Sequence, residues 1–434
     1  AASFALGCKV NQYESEAIAE LFAEKGYEIV GIDEEADVYV INTCTVTNFG
    51  DKKSRQLIRK VKRQNENAIV AVVGCYAQTA PKELMEIAGV NLVIGTKDRA
   101  QIVEMVEQYD RANGVENHVS DIMKERVFEP LSIQKLANRT RAYLKIQDGC
   151  SQYCSYCIIP YARGPIRSRE PQEVVAEVKR LAENGFKEVV LTGIHVASYG
   201  KDRRDTSLLD ILKQVHEVEG IERIRFSSIE PNVVTEEFAQ TMAALPKVCD
   251  HFHLSLQSGC DETLERMNRR YRSGEYRERC ELLREVYGNP ALTTDVIVGF
   301  PQESEEEFRK SYDFVDSIRF YETHIFKYSR RQGTKAAAMD GQLTEAEKSF
   351  RSEKMIELHH RHAGDYEKSM LGKNLEVLIE EEYTKDGRTW YLGHSREYIK
   401  TAVPKSEAYG VNDIVSVKAE GFLEEHIMTG EAVE

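Results

Sequence analysis

Apolar positions along this chain follow two alternating patterns. Short runs that are almost wholly apolar are followed by stretches with apolar residues three and four apart. In the first part the runs fall at residues 4–6, 38–41, 69–73 and 92–94. Helical patterns follow at 13–24, 50–63, 81–88 and 98–109. This alternation predicts a parallel sheet with helices on both faces, because strands covered on both sides read as continuous apolar runs. A polar stretch at 114–138, with Glu129-Pro130, reads as a connector.

The alternation resumes from 141 to 328. Strands are expected at 142–146, 188–192, 223–227, 252–256, 293–298 and 323–326. The helices between them are expected at 173–184, 208–217, 236–244, 261–268 with 275–286, and 305–317. Six such units fit a parallel partial (βα)6 barrel, whose sites lie at the C-terminal ends of the strands. Residues 342–370 read as a long closing helix. Beyond Gly372 the pattern changes to short strands at 375–379, 389–394, 399–403 and 414–418. These fit a small β-barrel of the oligonucleotide-binding style. The expected organisation is an α/β chain with a sheet domain at 1–112, a linker at 113–138, a barrel domain at 139–370 and the β-barrel at 371–434.

Composition changes this picture little. At 41% hydrophobic and 30% charged residues the chain reads as globular, and no apolar run approaches the length that crosses a bilayer. No charged segment followed by an apolar stretch marks a secretory signal, so the expectation is a cytoplasmic protein. Nine cysteines in that setting point to metal ligation or catalysis and away from disulfides. A net charge of −14 argues against coating nucleic acid with the whole surface, which leaves local basic patches to decide the matter.

The cysteines carry the chemistry. Cys150, Cys154 and Cys157 form a C-x3-C-x2-C loop directly after the first strand of the barrel region. Three thiolates on one loop match one face of a 4Fe–4S cubane and leave one iron open to S-adenosylmethionine. Tyr156 and the Ile158-Ile159-Pro160 run would shield it from water. A zinc knuckle is the plainer alternative, but zinc wants four ligands and no fourth lies nearby. Cys8, Cys44 and Cys75 each follow a strand of the first sheet, at the edge where open α/β sheets bind ligands. The fold would gather them into a second three-cysteine set; packing as small buried hydrophobes is the alternative. Cys249, Cys260 and Cys280 fit no such spacing and read as structural.

Other strand ends of the barrel region place Gly193, His195, Ser228, Glu230, Gln257 and Gly299 on the same rim. Glycines there permit close backbone approach to a cofactor, and hydroxyls and amides suit ribose and methionine groups. With Tyr156 these are the candidate cofactor contacts.

Taken together, the cysteine loop, the three strand-end cysteines and the β-rich tail resemble the radical S-adenosylmethionine methylthiotransferases along essentially the whole chain. Gly7-Cys8-Lys9-Val10-Asn11 is similar to the branch acting on N6-threonylcarbamoyladenosine in transfer RNA. The run 158–164 and Arg167-Ser168-Arg169 also look like this family. The resemblance implies a TRAM domain at the C-terminus. It implies a radical-generating 4Fe–4S cluster on Cys150, Cys154 and Cys157, and an auxiliary 4Fe–4S cluster on Cys8, Cys44 and Cys75 that holds the sulfur. One S-adenosylmethionine would yield a 5′-deoxyadenosyl radical that takes hydrogen from adenine C2, and a second would supply the methyl group. An anticodon stem-loop, an electron-donor protein and a sulfur source are the implied partners. The same chemistry on isopentenyladenosine or on a ribosomal protein, and a non-enzymatic zinc- or RNA-binding module, are the alternatives.

RNA binding requires cations. Lys52 to Arg63 holds seven basic residues, and Arg269-Arg270-Tyr271-Arg272 and 327–331 add more. In the tail, Arg388, Arg396 and Lys400 accompany Trp390 and Tyr391, two rings expected to stack on bases.

Overall fold

The computed structural model describes residues 1–133 and 140–433, so the end of the connector lies outside the described residues. The first sheet contains β1 (Ala2–Ala5), β2 (Val38–Thr43), β3 (Ile69–Gly74), β4 (Leu92–Val93) and β5 (Glu116–Asn117), in that order and all parallel. Every residue of β2 is buried, as a strand covered on both faces requires. Two helical stretches differ from expectation. The helix foreseen at 13–24 starts earlier, at Lys9, directly after Cys8. The one foreseen at 81–88 is split into Cys75–Thr79 and Pro81–Met85, because Pro81 lacks the N–H that would continue the first.

The central unit has six parallel strands: β6 (Arg141–Asp148), β8 (Glu188–Gly193), β9 (Arg223–Phe226), β10 (His251–His253), β11 (Ala291–Val298) and β12 (Glu322–Lys327). Isolated bridges from Ile224 to Val248 and Ile229 to Leu254 join its two sheets into one partial barrel. A short β7 (Arg167–Ser168), not foreseen, runs antiparallel on the β6 edge. Strand β10 is shorter than expected, and beyond it Gln257 takes a left-handed φ of 70°. The helices begin at strong signals: Pro171 at a first turn, and capping boxes of Ser304 with Glu307 and Thr344 with Glu347.

The tail closes into a five-stranded barrel of β13 (Asn374–Lys385), β14 (Arg388–Ser395), β15 (Lys400–Pro404), β16 (Ile414–Glu424) and β17 (Ile427–Ala432). Trp390 and Tyr391 are buried in it, with Arg388 stacked over Trp390 at 4.3 Å. Neither ring is offered to RNA, which corrects the sequence-based expectation. Arg396 is also engaged, donating to Val248 O of the central unit.

The three units are locked by buried charge. Glu14, on the first helix, accepts from Arg163 and Arg99 and from Lys145 at 2.7 Å, and Lys145 also reaches Asp148 at 2.6 Å. Arg331 meets Asp51 at 2.6 Å and Asn48 at 2.7 Å, so it is a strut between units and not an RNA contact. The connector is packed as well: Leu131 and Ile133 are buried in the central core, and Tyr13 donates to Leu131 O at 2.7 Å.

At the far end of the central barrel, Arg223 donates to Glu376 at 3.0 Å and to His394 O at 3.0 Å. Arg225 bonds Glu188 at 2.8 Å, Arg396 O at 3.0 Å and Ser395 O at 3.2 Å. The tail barrel therefore completes the shell of buried arginines. Burial would raise the Glu188 carboxyl, but Arg225, Arg141 and Arg223 pull it down to about 2. Arg225→Met is expected to cost about 3–5 kcal/mol, because Glu188 keeps its burial and loses its closest cation. Denaturant unfolding checks this. The Glu188 contribution should be complete above about pH 4.5 and fade as pH falls toward 2, since its folded pKa lies below its unfolded one.

Candidate active site

The cysteine loop follows β6 through Gly149, whose φ is 72° and where a Cβ would fall 1.9 Å from Pro165 O. No other residue fits that turn. The loop is then pinned from several sides. Cys150 N donates to Gly164 O at 3.0 Å, Ser155 N to Met267 O at 2.9 Å, and Ala336 N to Ser155 O at 2.8 Å. Arg269 donates to Cys154 Sγ at 3.2 Å and to Tyr271 Oη at 3.0 Å. Arg269 thus serves the cysteine loop, and its expected role on an RNA-facing surface is corrected. Tyr156 packs edge-on against Phe300 behind the loop.

The second set assembles as its strand positions predict. Cys8, Cys44 and Cys75 lie beyond β1, β2 and β3. A Cβ on Gly7 would sit 2.7 Å from Cys44 Sγ, so glycine is what lets the Cys8 and Cys44 segments approach. Arg163 donates to Cys75 Sγ at 3.2 Å. Each set therefore has one arginine directed at a sulfur.

Burial pushes the Cys150 thiol up to about 11 and the Cys157 and Cys44 thiols up to about 12. Buried thiolates need compensating positive charge, which bound iron supplies. Each set offers three thiols, one short of the four ligands a structural zinc takes, and three thiols with one open iron suit a 4Fe–4S cluster better.

One cavity of ≈ 760 Å³ is lined by the loop set, Cys150, Cys154 and Cys157, and by Cys8 of the second set. Tyr156, Gly193, His195, Ser228, Glu230 and Gln257 line it too. Glu230 is the hub of this rim, meeting His195 Nε2 at 3.2 Å and Gln152 Nε2 at 3.0 Å, with Arg269 at 3.6 Å. Burial opposes its ionisation, yet the His195 hydrogen bond holds its carboxyl below the usual range. Gly299 is not brought to this wall: its N–H donates to Glu303 at 2.7 Å, and a Cβ there would meet Lys348.

Sequence reasoning missed the cavity floor. His253, Asp295 and His324 come from adjacent strands, with His253 Nε2 3.2 Å from Asp295 and Nδ1 3.0 Å from Thr293 Oγ1. Lys9, Tyr143 and Glu322 face the same space. The available signal was polar residues at alternate positions of strands otherwise apolar. Burial first, then Arg141 and Arg225, push the Lys9 ammonium down to about 8.

A cysteine loop at the C-terminal mouth of a parallel partial barrel defines the class of radical S-adenosylmethionine enzymes. The model of the radical SAM superfamily matches residues 144–315, and that of the uncharacterised protein family UPF0004 matches 2–95. The threonylcarbamoyladenosine tRNA methylthiotransferase of Bacillus subtilis is 44% identical over 95% of this chain and 92% of its own. That of Aquifex aeolicus is 40% identical over 87% and 92%. A tRNA-2-methylthio-N(6)-dimethylallyladenosine synthase of Thermoanaerobacter is 36% identical over 86% and 80%. Among solved structures, the radical S-adenosylmethionine methyltransferase TsrM of Kitasatospora setae shares the fold, with a TM-score of 0.54 at 18% identity over 75% of this chain and 73% of that one. The chain belongs to the radical S-adenosylmethionine methylthiotransferase family.

Proposed function

We propose that this enzyme methylthiolates C2 of N6-threonylcarbamoyladenosine beside the anticodon of transfer RNA. The observation that carries the reading is the single cavity lined by all three loop cysteines and by Cys8, which lets one base face the loop set and the leading cysteine of the other. The nucleoside follows the relatives at 44% and 40% identity, which are named for it. When bound, a 4Fe–4S cluster on Cys150, Cys154 and Cys157 supplies the electron that cleaves S-adenosylmethionine, and a second on Cys8, Cys44 and Cys75 supplies the sulfur.

The protein's own residues position and shield. Arg269 and Arg163 direct N–H donors at a sulfur of each set. Glu230, held ionised, accepts from amino and hydroxyl groups of S-adenosylmethionine, with His195, Ser228, Gln257 and the Gly193 backbone around it. Tyr156 and Phe300 keep water from the back of the loop.

The anticodon loop is the natural partner of this face, where Tyr153 of the cysteine loop and Tyr161 just after it are exposed with rings 6.0 Å apart, surfaces on which unpaired bases would stack. The basic helix Asn48–Gln64 borders a separate groove of ≈ 1130 Å³ lined by Lys53, Arg59, Lys60, Lys62 and Arg63, suited to phosphates. An electron-donor protein and a sulfur source complete the cycle. No helix among the described residues is long and apolar enough to cross a membrane.

Nucleoside mass spectrometry tests the substrate. Transfer RNA from cells lacking other methylthiotransferases should gain 2-methylthio-N6-threonylcarbamoyladenosine with this protein and not with its Cys150→Ala variant. A methylthio group found only on an isopentenyl nucleoside would overturn the assignment.

A further inference from the structure

The cavity has five charged wall residues besides its histidines: Lys9, Arg269, Glu230, Asp295 and Glu322. Arg269 is matched to Glu230, and His253 to Asp295. Lys9 is different. Among the described residues no hydrogen bond or ion pair engages it, and its ammonium lies 5.9 Å from the centre of the Tyr143 ring. A half-buried cation without a bonded partner is costly unless a ligand brings the counter-charge. Its surroundings add to that demand. Arg141 and Arg225 lie within electrostatic reach, and the carboxylates that oppose them, Glu188 and Asp295, are already bonded to Arg225 and His253. Lys9 also opens the helix Lys9–Glu24, whose N-cap Cys8 offers no side-chain hydrogen bond to the first turn, so the helix's positive end adds to the same field. The site asks for an anion.

Its position says which anion. Lys9 follows Cys8 directly and its ammonium lies over the Tyr143 ring, so the cation and Cys8, of the set to which the sulfur is assigned, line the same cavity. In adenine, N1 is bonded to both C2 and C6. A substituent on N6 therefore lies next to the carbon that reacts. A residue recognising that substituent has to line the cavity in which the carbon reacts, and Lys9 does. Resting on the nucleoside assignment above, we propose that Lys9 binds the carboxylate of the amino-acid group on N6 and so selects the acidic nucleoside over apolar ones. Glu322, which lies within electrostatic reach of Lys9 without bonding it, faces the same space and is available to a hydroxyl of that group. Lys9 is a specificity residue here and takes no part in bond breaking.

The test uses the reconstituted full chain and an anticodon stem-loop whose N6-threonylcarbamoyl group carries either the free carboxylate or its primary carboxamide. The wild type should favour the acid by ~10- to 100-fold in kcat/KM, the range of a charge-assisted hydrogen bond. Lys9→Gln should lose that preference and Lys9→Arg should keep most of it. The wild-type comparison needs no variant, so poor folding of Lys9→Gln cannot hide the answer. Equal turnover of acid and amide by the wild type would overturn the Lys9 proposal while leaving the nucleoside assignment standing. A Lys9→Gln variant that slows both substrates equally and keeps the preference would also overturn it, placing Lys9 on a phosphate or on S-adenosylmethionine. Turnover of an isopentenyl stem-loop alone would overturn the nucleoside assignment, and the Lys9 proposal with it.

Discussion

Replacing Cys150, Cys154 and Cys157 together with alanine is expected to remove half of the iron and all reductive cleavage of S-adenosylmethionine. The physical basis is local. The loop is held by backbone hydrogen bonds from Cys150, Ser155 and Ala336, none of which needs a thiol. The variant should therefore fold and keep the other cluster, which separates loss of a ligand set from loss of structure. Anaerobic reconstitution with iron analysis, and chromatography of 5′-deoxyadenosine, read both quantities. Cleavage at the wild-type rate would remove the loop from the chemistry.

The second large effect is a separation of the two half-reactions. Alanine at Cys8, Cys44 and Cys75 should leave 5′-deoxyadenosine formation in place and abolish the methylthio product. Arg163 loses its contact with Cys75 but keeps Glu14 and Asn11, the latter at 2.6 Å, so the joint between the first sheet and the barrel survives. Product formation by this variant at the wild-type level would reduce these cysteines to packing residues.

Much of this site could be read before any coordinates. The C-x3-C-x2-C spacing is local, and a loop that follows an apolar strand has few places to go. The distant triad, Cys8, Cys44 and Cys75, was legible because each cysteine follows a strand and parallel strands bring their ends to one edge. The cations were less legible. A run such as Arg269-Arg270-Tyr271-Arg272 looks like a surface patch, yet Arg269 turns inward to Cys154 while Arg270 and Arg272 stay outside. Trp390 and Tyr391 read as stacking rings because composition says nothing of which strand face closes a barrel.

The sequence by itself determined the order of the units, the strand and helix periods, and the two cysteine sets, because these depend on neighbours a few residues apart or on strand ends. Only the tertiary structure decided that Cys8 lines one cavity with the loop cysteines and that the tail barrel seals Arg223 and Arg225. It also placed Lys9, unpartnered, beside the floor built from His253, Asp295 and His324. Those contacts join residues more than a hundred positions apart. Side-chain direction and charge matching at such distances follow from how the units pack, and no local pattern encodes them.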